Sequence, residues 1–248
     1  MSATITEHST ELFNTEGYSI IPSFLDREQI DTLRRAINRC TDRISNAFLA
    51  PHANFHPEAP VEERLELIFK QDQSLATALM EAVLVDAHHE KEVQDIFNES
   101  QLLEVVKEYI APQTLGDFTC RFRIDEPSFS KFKHRWHSDL VFPHQRKTSC
   151  YQLKLACWLP LQDVSANSGA LEIHPGKRRE VFTHIRGENG KHFIPDSELP
   201  ESAPQSVDIK AGDLLLLDRF LPHRTTPVIG NQIRWSLVTW CKGVLPLI

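Results

Sequence analysis

The hydrophobic period of this chain changes once, near residue 115, and that change limits the folds open to it. Before it, apolar residues recur at helical spacing. Ile30, Leu33, Ile37, Cys40 and Ile44 fall on one stripe, with Arg34, Arg35 and Arg39 on other faces. Asp26 stands at the N-cap of this helix with Gln29 at the reciprocal position, and Leu25 and Ile30 are spaced to form a hydrophobic staple. Further helices are predicted over 61–70, 72–86 and 93–110, the last closed by Pro112, and a short strand ends at Pro22. His88-His89-Glu90 reads as a solvated polar face, because adjacent helical residues do not share a side. After the change, short apolar or alternating runs at 118–124, 151–161, 170–174, 206–209, 214–218, 223–228 and 233–240 read as strands. Turn signals such as Ser168-Gly169, Pro175-Gly176, Ala211-Gly212-Asp213 and Gly230-Asn231 separate them. Nothing alternates as β-α-β, which argues against a doubly wound parallel sheet. The class is α+β: helices packed outside a β sandwich, barrel or jelly roll.

A chain of 248 residues suits one domain, 1–248, with a core that needs neither disulfide nor structural metal. The net charge of −7 argues against a nucleic-acid partner. The five cysteines are odd in number, scattered and without a CxxC pair, which fits thiols in a reducing cytosol. The polar start carries no secretory signal and no run of apolar residues is long enough to span a bilayer, so no membrane partner and a cytoplasmic location are expected. Oligomeric state leaves no trace in the sequence.

Chemistry concentrates in the β half. In Trp136-His137-Ser138-Asp139, His137 and Asp139 are two apart, so an extended backbone turns both to one face. A selective metal site needs a third ligand. His223 is the best placed, just after the turn and buried run Gly212-Asp213-Leu214-Leu215-Leu216-Leu217-Asp218. Two histidines and a carboxylate with open positions form the facial triad of non-haem Fe(II) oxygenases. Arg234 and Ser236 follow on one strand face. A buried guanidinium beside a hydroxyl suits a carboxylate, and the apolar neighbours Trp235, Leu237 and Trp240 leave that charge in need of a partner. Two other readings stay open: a metal-dependent hydrolase or isomerase using the same site to activate water, and a non-catalytic binding protein. Lys131, Lys133, His134 and Arg135 before the triad, and Lys177, Arg178, Arg179, Arg186 and Lys191 in the long polar segment 176–204, are either solvated charges or part of an anion-binding surface. A connection of that length usually carries function, and a lid is expected.

Three blocks resemble the phytanoyl-CoA dioxygenase family of Fe(II)/2-oxoglutarate-dependent oxygenases. The first is Leu12-Phe13-Asn14-Thr15-Glu16-Gly17-Tyr18-Ser19-Ile20-Ile21-Pro22-Ser23-Phe24-Leu25. The second is Trp136-His137-Ser138-Asp139 with Ala156-Cys157-Trp158-Leu159-Pro160-Leu161-Gln162-Asp163 and Asn167-Ser168-Gly169-Ala170-Leu171-Glu172-Ile173-His174-Pro175-Gly176. The third runs from Gly212-Asp213 through His223 to Arg234-Trp235-Ser236. The resemblance implies a double-stranded β-helix (a cupin-like jelly roll) with flanking helices. It implies Fe(II) on His137, Asp139 and His223, O₂ as oxidant, and 2-oxoglutarate anchored by Arg234. Trp158 and Thr225 match positions that line the co-substrate pocket, and Gln152, on the strand of Trp158, is expected to face it. Many members read His-Gln-Asp where this chain has His-Ser-Asp, but the middle residue points away from the metal. Related halogenases lack the carboxylate ligand, so Asp139 implies hydroxylation or desaturation rather than halogenation. The expected substrate is a small polar or anionic molecule.

Overall fold

A computed structural model describes residues 7–49, 61–98, 100–110, 112–124, 134–140, 153–166, 168–176, 181–188, 190–226 and 233–243. Gln152, Lys131, Lys133, Lys177, Arg178 and Arg179 lie outside these residues. The helices are α1 (Glu7–Glu16), α2 (Arg27–Leu49), α3 (Val61–Gln71), α4 (Gln73–Asp86), α5 (Lys91–Asn98) and α6 (Ser100–Lys107). The strands are β1 (Tyr18–Ile21), β2 (Pro112–Ile124), β3 (Leu153–Pro160), β4 (Leu171–Ile173), β5 (Ile185–Arg186), β6 (His192–Phe193), β7 (Gln205–Val207), β8 (Leu214–Asp218), β9 (His223–Thr225) and β10 (Ile233–Gly243).

A five-stranded sheet runs β1-β8-β3-β10-β2, a three-stranded sheet runs β7-β4-β9, and β5 pairs with β6. Every pairing is antiparallel. Period-2 alternation divides the larger sheet into two apolar faces. Leu155, Cys157 and Leu159 of β3, Leu214 and Leu216 of β8, and Trp235 and Leu237 of β10 meet Leu33, Ile37, Leu79 and Val83 of α2 and α4. Ala156 and Trp158 of β3 and Leu215 and Leu217 of β8 turn the other way and meet Leu171, Ile173 and Val207 of the smaller sheet. The helices therefore cover one face of the large sheet and the small sheet covers the other. On the small sheet's outer side, Glu172 of β4 lies opposite Arg224 of β9, and the two form an ion pair at 2.6 Å.

Local chemistry fixes the ends of these elements. Gln29 N–H donates to Asp26 Oδ1 and Asp26 N–H donates to Gln29 Oε1, both at 2.9 Å, closing the expected capping box on α2. Gly212 has φ +85°, and a Cβ there would lie 2.5 Å from the Leu25 carbonyl oxygen, so only glycine fits. Its own carbonyl accepts from Leu25 N–H at 2.9 Å, and Asp213 Oδ1 accepts from Ser23 N–H at 2.8 Å. The turn into β8 is thus tied to the start of α2.

Two expectations need correction. The helix predicted over 93–110 is two helices, α5 and α6. Glu90 is not part of a solvated face: it is mostly buried and pairs with Arg43 at 2.8 Å and Arg39 at 3.7 Å. The Ala87–His89 turn is a 3-10 segment, and it directs Glu90 back toward α2. Among the described residues no helix is long and apolar enough to cross a membrane.

Candidate active site

His137 and His223 are brought together by backbone pairing. Their strands form an antiparallel bridge, with His137 N–H on the His223 carbonyl at 3.0 Å and His223 N–H on the His137 carbonyl at 2.8 Å. The 137–140 segment thereby extends the small sheet beyond β9. The imidazole centroids lie 4.3 Å apart. Alternation places Asp139 on the same side as His137, and one donor atom from each of His137, Asp139 and His223 lies within 4.8 Å of the others.

The two imidazoles are set identically. His137 Nδ1 lies 2.8 Å from the Arg135 carbonyl, and His223 Nδ1 lies 3.0 Å from the Leu221 carbonyl. A carbonyl can only accept, so each Nδ1 carries the proton and each Nε2 presents a lone pair. This is the outer-shell arrangement that orients histidine metal ligands. Asp139 is oriented from the large sheet: Trp240 Nε1–H donates to its Oδ1 at 3.2 Å. Two imidazole nitrogens and one carboxylate fit a divalent transition metal with open positions, and Fe(II) in particular. A second group among the described residues, Cys40, Asp86 and Glu90, also brings donor atoms together. There Arg43 already bonds both carboxylates, so a cation occupies the position a metal would take.

Arg234 and Ser236 sit on the inner face of β10, each almost wholly buried. Arg234 Nη1–H donates to the Gly169 carbonyl, and its guanidinium carbon lies 5.4 Å from the centre of the Trp158 ring. Trp235 and Leu237, expected to surround this guanidinium, alternate to the helix side instead. Its neighbours are Trp158, Gly169 and Ser236. Thr225 lies opposite Leu171, two residues after His223 on the same strand face. The structure therefore gathers His137, Asp139, His223, Trp158, Thr225, Arg234 and Ser236 between the two sheets.

Two residues at this site were not singled out from the sequence as acting on it. Trp240 shares a strand face with Arg234 and Ser236, so its placement was legible from alternation, although its bond to Asp139 was not. His184 has no such signal. It is buried, its Nδ1–H donates to the Phe182 carbonyl at 2.8 Å, and its Nε2 accepts from Ser138 N–H at 3.2 Å. Burial holds its pKa below the ordinary histidine range, which keeps Nε2 an acceptor. Ser138 itself turns away from the triad, and its Oγ–H donates to the Leu140 carbonyl at 3.0 Å. The 176–204 segment is thus a structured wall in part. Ile194 N–H donates to the Trp136 carbonyl at 2.7 Å, and Arg135 stacks on Phe193 at 3.5 Å. Of the segment's expected anion-binding residues, Arg186 is exposed and Lys191 half-buried.

Comparison with known proteins gives one consistent result. The family model for phytanoyl-CoA dioxygenase (PhyH) matches residues 13–236. Phytanoyl-CoA dioxygenase 1 of Oryza sativa subsp. japonica is 21% identical over 99% of this chain and 96% of its own. The non-haem α-ketoglutarate-dependent carbocyclase SnoK from nogalamycin biosynthesis shares the fold with a TM-score of 0.65, at 14% identity over 98% of this chain and 86% of that one. The epimerase SnoN, solved with Fe3+, α-ketoglutarate and nogalamycin RO, gives 0.61 at 15% identity over 96% of this chain and 83% of that one.

Proposed function

The chain belongs to the phytanoyl-CoA dioxygenase (PhyH) family, and on that footing we propose that it is an Fe(II)/2-oxoglutarate-dependent oxygenase acting on a small polar or anionic metabolite. In this reading residues 1–248 form one cytoplasmic domain, and the two sheets are the halves of a double-stranded β-helix. His137, Asp139 and His223 hold the metal, and Arg234 with Ser236 holds the distal carboxylate of 2-oxoglutarate against Trp158. Thr225 completes that pocket. The observation that carries the reading is the pair of imidazoles whose Nδ1 protons are committed to backbone carbonyls, leaving both Nε2 atoms as acceptors, in a group of His137, Asp139 and His223 whose donor atoms lie within 4.8 Å of one another.

Held by these residues, Fe(II) and 2-oxoglutarate would supply the O₂-activating chemistry, the co-substrate being consumed to succinate and CO₂ as the substrate is hydroxylated. The chain's own residues do the positioning. The His137–His223 bridge fixes the spacing of the two imidazoles. Trp240 turns the Asp139 carboxylate toward them, and its presence as a ligand leaves no place for halide, so the product is hydroxylated or otherwise oxidised and not halogenated. Arg234, removed from water on the inner face, matches a carboxylate with a planar fork of donors. The apolar lining from Trp158, Leu171 and Ile173 excludes water around the reacting groups.

The test is spectroscopic. Anaerobic Fe(II) protein mixed with 2-oxoglutarate should develop a visible metal-to-ligand charge-transfer band, and O₂ should then release succinate. A hydrolase or isomerase using the same triad would give no such band and no succinate, and that result would reject the oxygenase reading.

A further inference from the structure

We propose that Lys154 and Arg219 form a second anion subsite, at the end of the inner face opposite Arg234, and that the molecule this enzyme oxidises carries a carboxylate or phosphate held there. The inference rests on the oxygenase reading and adds to it the chemical class of the substrate.

Strand alternation supplies the first step. On β3, Leu155, Cys157 and Leu159 face the helices while Ala156 and Trp158 face the small sheet, and Lys154 comes next after Ala156 in the inner series, at the register shift between β3 and β10. On β8, Leu215 and Leu217 face inward, and Arg219 opens the turn that follows the strand, closed by Leu221 N–H on the Asp218 carbonyl at 3.0 Å. The register Ala156↔Leu217 and Leu155↔Asp218 brings Lys154 opposite Arg219, and Arg219 N–H donates to the Lys154 carbonyl at 3.2 Å. The two cationic residues thus share one backbone rung at the end of the inner face.

That rung borders the triad. Ala156 pairs with Trp240, whose indole holds Asp139, and Lys154 is two residues, or about 7 Å, further along the strand. From the other side, Leu140 N–H, next to Asp139, donates to the Arg219 carbonyl at 3.0 Å. Arg234 lies the other way. It is six residues before Trp240 on β10, roughly 20 Å along an extended strand. A five-carbon 2-oxoglutarate anchored at Arg234 cannot also reach Lys154 and Arg219, so any anion held at this end belongs to another molecule.

Burial weighs on both charges. Both side chains are half-buried. Burial lowers the Lys154 pKa, with the Arg219 charge adding to the effect, and burial lowers that of Arg219. The neighbouring Asp218 opposes both shifts, although its Oδ1 also accepts from Phe220 N–H at 2.9 Å. Arg219 is held in place by its Nη1–H on the Leu153 carbonyl at 2.9 Å and by the Phe220 ring, 4.6 Å from its guanidinium carbon. An oxyanion between the two cations would offset both burial and mutual repulsion, with the guanidinium as a planar fork and the ammonium as a point charge. Arg186, in the polar segment, lies on the exposed β5–β6 hairpin instead.

The test is equilibrium dialysis of inorganic phosphate and, in parallel, acetate against the anaerobic Fe(II)·2-oxoglutarate protein, with the charge-transfer band followed in the same samples. We expect saturable binding of at least one anion, with the band retained. Lys154→Gln should weaken it by ten-fold or more, whereas Lys154→Arg and the surface control Arg186→Gln should preserve it. Absence of saturable binding for both anions, equal binding by Lys154→Gln, or anion binding that abolishes the band would overturn the subsite. If the band forms but neither anion binds, the subsite fails and the oxygenase reading stands. If the band never forms, the oxygenase reading is what has failed.

Discussion

Replacing Trp240 by Phe isolates one bond. A smaller aromatic ring is kept in place, so part of the packing beside Ala156 and Val238 survives, while the N–H that reaches Asp139 Oδ1 at 3.2 Å is lost. A hydrogen bond to a charged acceptor is worth about 1.5–3 kcal/mol. The separation is at the long end of the normal range, and Trp240 is only half-buried, so water can replace part of the interaction. The low end of that range therefore applies, about 1.5 kcal/mol, which is roughly a ten-fold change in an equilibrium constant. It is also the lower edge of the 10–100-fold loss in metal affinity typical of outer-shell substitutions. Fe(II) titrated anaerobically into Trp240→Phe with saturating 2-oxoglutarate should thus bind about ten-fold more weakly, as read from the charge-transfer band. Thermal unfolding of the metal-free protein should change little, because the bond orients a ligand and does not build the core. Unaltered metal affinity would show that backbone pairing alone sets Asp139. A large loss of metal-free stability would show that Trp240 acts through packing.

Three further outcomes follow from the same geometry. His137→Ala, Asp139→Ala and His223→Ala should each abolish succinate release while circular dichroism shows the fold retained, since the two apolar layers are built without the metal. Arg234→Ala should raise the 2-oxoglutarate KM far more than that of the oxidised substrate, because losing a charged partner in a dry pocket costs about 2–5 kcal/mol by analogy with buried interface pairs. His184 has a folded pKa below its unfolded value of about 6.5, so unfolding takes up a proton in mildly acidic solution. Its contribution to stability is complete above about pH 6.5 and is lost as pH falls through the folded pKa; Tm of the metal-free protein should drop between pH 7 and pH 5, and drop less in His184→Gln.

The parts of this molecule that were legible from sequence are those that a local period can encode. Alternation in 214–218 and 233–240 separates the two faces of the large sheet, and the helical stripe from Ile30 to Ile44 identifies the surface that covers one of them. The inner face then collects Arg234, Ser236, Val238 and Trp240, and the two-residue spacing of His137 and Asp139 marks the metal edge. The same rule, applied to Arg234, should have sent Trp235 and Leu237 to the opposite face; grouping them around the guanidinium treated sequence neighbours as spatial neighbours, which a strand forbids. What no period carries is the meeting of distant backbones. The pairing of the 137–140 segment with His223 and Arg219, and the reach of His184 from the 176–204 segment to Ser138 N–H, each depend on a contact between remote stretches. The second also explains why a long polar connection can be structural. A one-sided edge strand bearing two metal ligands would leave Trp136 C=O and Ser138 N–H without a neighbouring strand. Ile194 and His184 supply those partners, so the 176–204 segment steadies the His-x-Asp backbone, and substitutions at its buried positions, His184 and Ile194, should disturb metal binding before they alter substrate choice.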